Sequence, residues 1–141
     1  MRKIYRNFIT KDEAKELISC YEGEILKSNN DIINRIIEKI KEDFTFSIKK
    51  QSNYYIETKP VGHSWHVDTG TNNHMPWCEI GISILLKEPI SGGNTYYSDN
   101  LQGDNKVKSD RNIHDLISHT SDEWHMIEPH KGKRVVFLMF I

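Results

Sequence analysis

The heptapeptide "RVVFLMF", residues 134–140, limits what this 141-residue chain can become more than any other stretch. Its β-branched and aromatic residues predict a strand. Strand side chains alternate between two faces, yet Val135, Phe137 and Met139 are as apolar as Val136, Leu138 and Phe140. Such a strand must be covered on both sides, which excludes a sheet with one face in water. One cover stands near the start of the chain. "FITKDEAKELISCYEGEI" carries a Thr10–Glu13 capping box, an Ile9–Ala14 staple, and Leu17, Ile18 and Tyr21 on one face. In "NNDIINRIIEKIKEDF", Asn30 caps a helix whose Ile32, Ile33, Ile36, Ile37 and Ile40 form one stripe, with Arg35, Glu38, Lys39 and Glu42 opposite. These helices predict a layer laid on something flat.

From Thr45 onward short β-rich runs alternate with turn chemistry: "FTFSIKK", "NYYIETK", "HSWHVD", "EIGISILLK", "NTYYSD", "NKVKS", "HDLISH", "EWHMIE" and "KRVVFLMFI". Between them lie Pro60-Val61-Gly62, Gly70, Ser91-Gly92-Gly93, Gly103-Asp104 and Lys131-Gly132. The expectation is one mainly β domain spanning residues 1–141, with a helical layer at 10–44 and a sandwich or barrel at 45–141. A formal net charge of −1 gives no sign of a polyanionic partner such as nucleic acid. No apolar run reaches the roughly 20 residues of a membrane span. "MRKIYRNFITKDE" has no apolar leader core, and Cys20 and Cys78 lack CxxC spacing, so the expected compartment is reducing and cytoplasmic.

The chemistry centres on "GHSWHVDTG". On a strand, Ser64, His66 and Asp68 share one face, with His63, Trp65 and Val67 on the other. This places Trp65 and Val67 against the helices and leaves His66 and Asp68, two strand steps of about 3.3 Å apart, able to reach one ion. His125 in "DEWHMIEP" is the first candidate for a third ligand; His130, in the following turn, is the second. Two imidazoles and a carboxylate leave three octahedral positions open, the facial triad suited to non-haem Fe(II). His63 reads as a surface or supporting residue, and His74, His114 and His119 as simple hydrogen-bonding groups. Arg134 follows the turn at His130-Lys131-Gly132, so its strand and that of His125 are expected to be antiparallel neighbours. A guanidinium pointed inward among Val136, Leu138 and Phe140 needs a buried anion, and a ligand carboxylate suits it.

"HVD", "GISILLKEPISGGNTYYSD" and "WHMIEPHKGKRVVFL", taken in order, resemble the 2-oxoglutarate- and Fe(II)-dependent dioxygenases, and among them the prolyl-4-hydroxylase-like branch. The resemblance covers residues 54–140. It implies a double-stranded β-helix (jelly-roll) with both helices on its larger sheet. It further implies Fe(II) on His66, Asp68 and His125, 2-oxoglutarate chelating that iron, and the far carboxylate of 2-oxoglutarate on Arg134 with help from Tyr55 or Tyr54. The implied reaction consumes O2 and 2-oxoglutarate, releases succinate and CO2, and hydroxylates an unactivated C–H bond, with ascorbate as a candidate reductant. A peptidyl or free prolyl substrate is the first expectation. Another free amino acid or small metabolite, or a cupin-like module without catalysis, is the alternative. Ile80, Ile82 or Ile84 would shield the centre from water, whichever parity faces inward. The second arginine typical of nucleic-acid demethylases is missing from Val135 to Ile141.

Overall fold

Both helices begin where their caps predict. Thr10 Oγ1 accepts from the Glu13 N–H at 3.1 Å and Glu13 Oε1 accepts from the Thr10 N–H at 3.0 Å, opening α1 (Lys11–Ile18). Asn30 Oδ1 accepts from the N–H groups of Ile32 and Ile33, opening α2 (Asp31–Lys41), whose isoleucine stripe is wholly buried. The structure, a computed structural model, describes residues 1–19, 22–58, 61–69 and 74–141. Cys20, Tyr21, Pro60 and Gly70, which entered the sequence reading, lie outside the described residues.

Strand β1 (Arg2–Tyr5) precedes α1, and β2 (Gly23–Glu24) lies between the helices. After α2 come β3 (Asn53–Glu57), β4 (His63–His66), β5 (Ile80–Lys87), β6 (Ser91–Gly92), β7 (Thr95–Ser98), β8 (Val107–Lys108), β9 (Leu116–Thr120), β10 (Trp124–Ile127), β11 (His130–Lys131) and β12 (Val135–Phe140). Among the described residues they form a six-stranded sheet, β1-β9-β5-β12-β3-β2, a four-stranded sheet, β4-β10-β7-β8, and a β11-β6 ribbon. The strand pairs are antiparallel. The architecture is a jelly-roll with its helices on the larger sheet.

Strand β12 is covered twice, as its composition demands. Val135, Phe137 and Met139 join Ile80, Ile82, Ile84 and Leu86 of β5, Leu116 of β9 and the α2 stripe in the core beneath the helices. Val136, Leu138 and Phe140 face the space between the sheets, beside Gly81 and Ser83. The isoleucines of β5 thus pack against the helices, and the inner lining comes from β12 instead. Cys78 is a buried free thiol pushed up to about 12 by burial, and so stays protonated.

Four sequence readings are corrected. "FTFSIKK" forms no strand: β2 already pairs with the outer edge of β3 at Gly23–Tyr54 and Glu24–Asn53, so Phe46 and Ile48 pack on the core as irregular chain. The β framework is not confined to residues 45–141, because β1 extends the larger sheet along β9. His125 and Arg134 do not sit on neighbouring strands: β10 belongs to the smaller sheet and β12 to the larger, and the intervening residues cross between them. Trp65 lies away from the helices, under the loop at Gly103, where a Cβ would come within 2.9 Å of its Nε1. Among the described residues no helix is long and apolar enough to cross a membrane.

Asp115 ties β1 to the sheet. Its side chain is 1% exposed; Oδ1 accepts from the Asn7 N–H at 2.8 Å, and Oδ2 accepts from the Asn112 N–H at 2.9 Å and from Arg6 at 2.8 Å. Burial pushes its pKa up, but these donors outweigh burial and hold it below the usual carboxylate range. Such a group adds stability that is fully present above its unfolded pKa of about 4 and is lost as pH falls through the folded value. Asp115→Ala should lower unfolding stability at pH 7 by roughly 2–3 kcal/mol. In urea titrations the wild-type advantage over this variant should shrink below about pH 4.

Candidate active site

Strand β10 lies between β4 and β7, and its register sets His125 opposite His66. The two ring centroids are 4.2 Å apart. Each ring turns Nδ1 to the carbonyl two residues earlier: His66 to Ser64 at 2.8 Å, His125 to Glu123 at 2.8 Å. A carbonyl only accepts, so both Nδ1 atoms carry the proton and both Nε2 lone pairs stay free. Asp68 sits in the turn after β4, its N–H donating to the Ser121 carbonyl at 3.0 Å. Its Oδ1 lies 3.5 Å from His125 Nε2. Ligand atoms of His66, Asp68 and His125 all fall within 4.8 Å of one another, close enough to share one ion.

Burial holds His125, and hydrogen bonding holds Asp68, in ligating form. His125 is pushed down to about 3, by burial first and then by the neighbouring His119, so its imidazole is neutral at physiological pH. Burial pushes Asp68 up, but the His119 hydrogen bond and the surrounding imidazoles outweigh it and keep the carboxylate ionised.

The sequence reading passed over the group that aims this carboxylate. His119 on β9 is 7% exposed; its Nε2 lies 2.7 Å from Asp68 Oδ2 and its Nδ1 3.0 Å from the Tyr97 hydroxyl. An ionised carboxylate only accepts, so Nε2 carries a proton, and in the neutral ring Nδ1 accepts from Tyr97. This occupies Oδ2 and leaves Oδ1 toward the imidazoles, the outer support that metal-binding carboxylates use. Gly81 makes the pair possible: a Cβ there would collide with Asp68 Oδ2 and His119 Nε2. A glycine inside the strand "EIGISILLK" was a readable sign of close approach; the partner of His119 had no sign in sequence.

A bulge re-aims His63. Strand β4 takes three steps, His66 back to His63, where β10 takes two, His125 to Ile127. The extra residue reverses the alternation, so His63 lines the same cavity as His66 and pairs with Glu57 at 3.0 Å. His130, the alternative ligand, sits on β11 with Nδ1 donating to the Gly132 carbonyl at 3.0 Å, outside the cluster.

Arg134 lies across the cavity, at the start of the larger sheet's central strand. It is 5% exposed, and its Nε has no hydrogen-bond partner among the described residues. Glu57 is the acidic group whose charge reaches it, but that carboxylate is already bonded to His63. Its aliphatic stem runs over Gly93, where a Cβ would lie 2.9 Å from Arg134 Cδ; the glycine also adopts φ +72°. Tyr55 lines the cavity beside Phe140, whereas Tyr54 stacks on Phe137 on the helix side, ring centroids 6.0 Å apart. Ile117, Ile127, Val136 and Leu138 complete an apolar wall between the polar ends.

No family model matches the sequence, and no curated protein matches it. Solved structures do match in shape. A Pseudomonas putida prolyl-4-hydroxylase superposes with a TM-score of 0.72 at 10% identity, over 99% of this chain and 83% of that one. The chain has the prolyl-hydroxylase fold. The viral collagen prolyl hydroxylase of Paramecium bursaria Chlorella virus-1, solved with 2OG, gives 0.67 at 13% identity over 99% and 94% of the two chains. A Trichoplax adhaerens prolyl hydroxylase, solved with a hypoxia-inducible-factor peptide fragment, gives 0.65 at 12% identity over 99% and 82%.

Gly81→Ala and His119→Leu should each weaken Co(II) binding about 10- to 100-fold, measured by calorimetric titration. Far-ultraviolet circular dichroism should retain the β-rich signal in both. Wild-type Co(II) affinity in either variant would show that Asp68 needs no such support.

Proposed function

We propose that this protein is a 2-oxoglutarate- and Fe(II)-dependent dioxygenase that hydroxylates a C–H bond, acting as a prolyl hydroxylase on a peptidyl or free prolyl substrate. The reading rests above all on the pairing, in one cavity, of three convergent ligands at one end with a buried guanidinium lacking an anion at the other. The donor set fits iron: two imidazole Nε2 atoms and one carboxylate oxygen, facing a cavity.

His66, Asp68 and His125 would hold the metal, whose contribution when bound is O2 activation coupled to oxidative decarboxylation of a 2-oxo acid. Arg134 binds the far carboxylate of 2-oxoglutarate and so fixes which end of the diacid faces the ligands. Tyr55, across from Leu138, lines the same cavity; burial pushes its hydroxyl up to about 12, so it remains a donor. Ile117, Ile127, Val136 and Leu138 exclude water from the space between. The outer opening, among Asn53, Tyr55, His63, His66 and Phe140, is where substrate reaches the metal. The peptide seen with the Trichoplax enzyme supports a peptidyl substrate.

Purified protein given Fe(II), ascorbate and 2-oxoglutarate should bind 2-oxoglutarate and form succinate when offered prolyl peptides. His66→Ala and His125→Ala should lose metal and turnover together. Arg134→Gln should keep the metal but bind 2-oxoglutarate at least about 100-fold more weakly, read by anaerobic titration. Failure of the wild-type protein to bind 2-oxoglutarate would end the proposal. Binding coupled to turnover of free amino acids but not peptides would redirect the substrate.

A further inference from the structure

Behind the arginine end of the cavity lies a second guanidinium, that of Arg111, in a neighbouring pocket that shares Thr95. Arg111 precedes β9. Its Nη1 donates to Ser83 Oγ at 2.7 Å, and its Nη2 donates to Thr95 Oγ1 at 3.3 Å. Ser83 stands on β5 of the larger sheet and Thr95 on β7 of the smaller, so Arg111 bridges the two. Both hydroxyls line the cavity that Arg134 enters. Neither arginine forms an ion pair with a described residue, although Asp115 and Glu57 lend distant negative charge. Arg111 is pushed down to about 10, by burial first and then by the charge of Arg134.

The hydroxyls carry the argument further. A hydroxyl that accepts from a guanidinium still has one proton to donate. Neither Ser83 nor Thr95 donates that proton to a described residue, and Thr95 is 4% exposed. Two O–H donors and the Arg134 charge therefore meet around a space where no described residue supplies an anion to them, with the Arg111 charge behind. Like charges held together in a buried site are costly until an anion joins them.

We propose that Arg111 is a positioning residue for the anion subsite. It fixes the hydroxyls of Ser83 and Thr95 with their protons toward the cavity, and it sets a second positive charge behind Arg134. The subsite thereby selects a 2-oxo acid whose far end is a carboxylate over one whose far end is neutral. This rests on the dioxygenase reading above and adds a determinant of cosubstrate choice to it.

The test loads the protein with Co(II), a redox-stable stand-in for iron, and titrates 2-oxoglutarate and 2-oxopentanoate, which has a methyl group in place of the far carboxylate. Arg111→Gln should weaken 2-oxoglutarate about tenfold or more while leaving 2-oxopentanoate and Co(II) affinities unchanged. Arg111→Lys should recover part of the loss. Should Arg111→Gln fail to fold, the double variant Ser83→Ala/Thr95→Val must show the same selective loss. Unchanged 2-oxoglutarate affinity, or an equal loss of both acids and Co(II), overturns the proposal. A wild-type protein that binds Co(II) but neither acid removes the dioxygenase reading and this inference together, an outcome distinct from failure in the variants alone.

Discussion

The strict alternation of side chains along β5 and β12 governs this molecule. On one parity, Ile80, Ile82, Ile84, Val135, Phe137 and Met139 meet the helices; on the other, Gly81, Ser83, Val136 and Leu138 meet the cavity. A one-residue slip would turn the isoleucines into the site and press the small and polar residues against α2. Gly81 would no longer stand under the Asp68–His119 pair. Fold and site are therefore specified by one periodicity, and neither can be altered in these strands without the other.

What could be read beforehand follows from that periodicity. The double-faced apolar strand, the capped helices and the isoleucine stripe are local patterns, and each led to the element observed. The His66, Asp68 and His125 cluster was legible because residue type and order survive translation into space. The misreadings arose where geometry is not local. Nothing in "GHSWHVD" announces the bulge that brings His63 inward, because a bulge is a property of two strands. Assigning His125 and Arg134 to adjacent strands assumed that a short turn makes a hairpin, whereas the chain changes sheets there. His119 reads in sequence as a simple hydrogen-bonding group and Arg111 carries no signal there, since their partners lie far away in sequence: Asp68 in one case, Ser83 and Thr95 in the other.

Polarity runs in one direction along the cavity. The smaller sheet and the turn after β4 contribute imidazole nitrogens and an ionised carboxylate, the sort of field that attracts a cation. The opposite end contributes guanidinium groups and hydroxyl protons, the field that attracts an anion. An apolar stretch of Ile117, Val136 and Leu138 keeps the two fields apart and lowers the screening between them. Neutralising either end alone leaves the other unbalanced, so loading of the two ends is electrostatically coupled.

The division of labour between the sheets has a mechanical side. The imidazoles of the triad ride on the smaller sheet, while Arg134 opens the central strand of the larger one. Any guest long enough to touch both would act as a rivet through the sandwich, joining layers that otherwise meet through side-chain packing, the Tyr97–His119–Asp68 hydrogen bonds and the bridging Arg111. Cohesion of the two layers would then report on occupancy, and a guest reaching only one end would leave them as loosely joined as before.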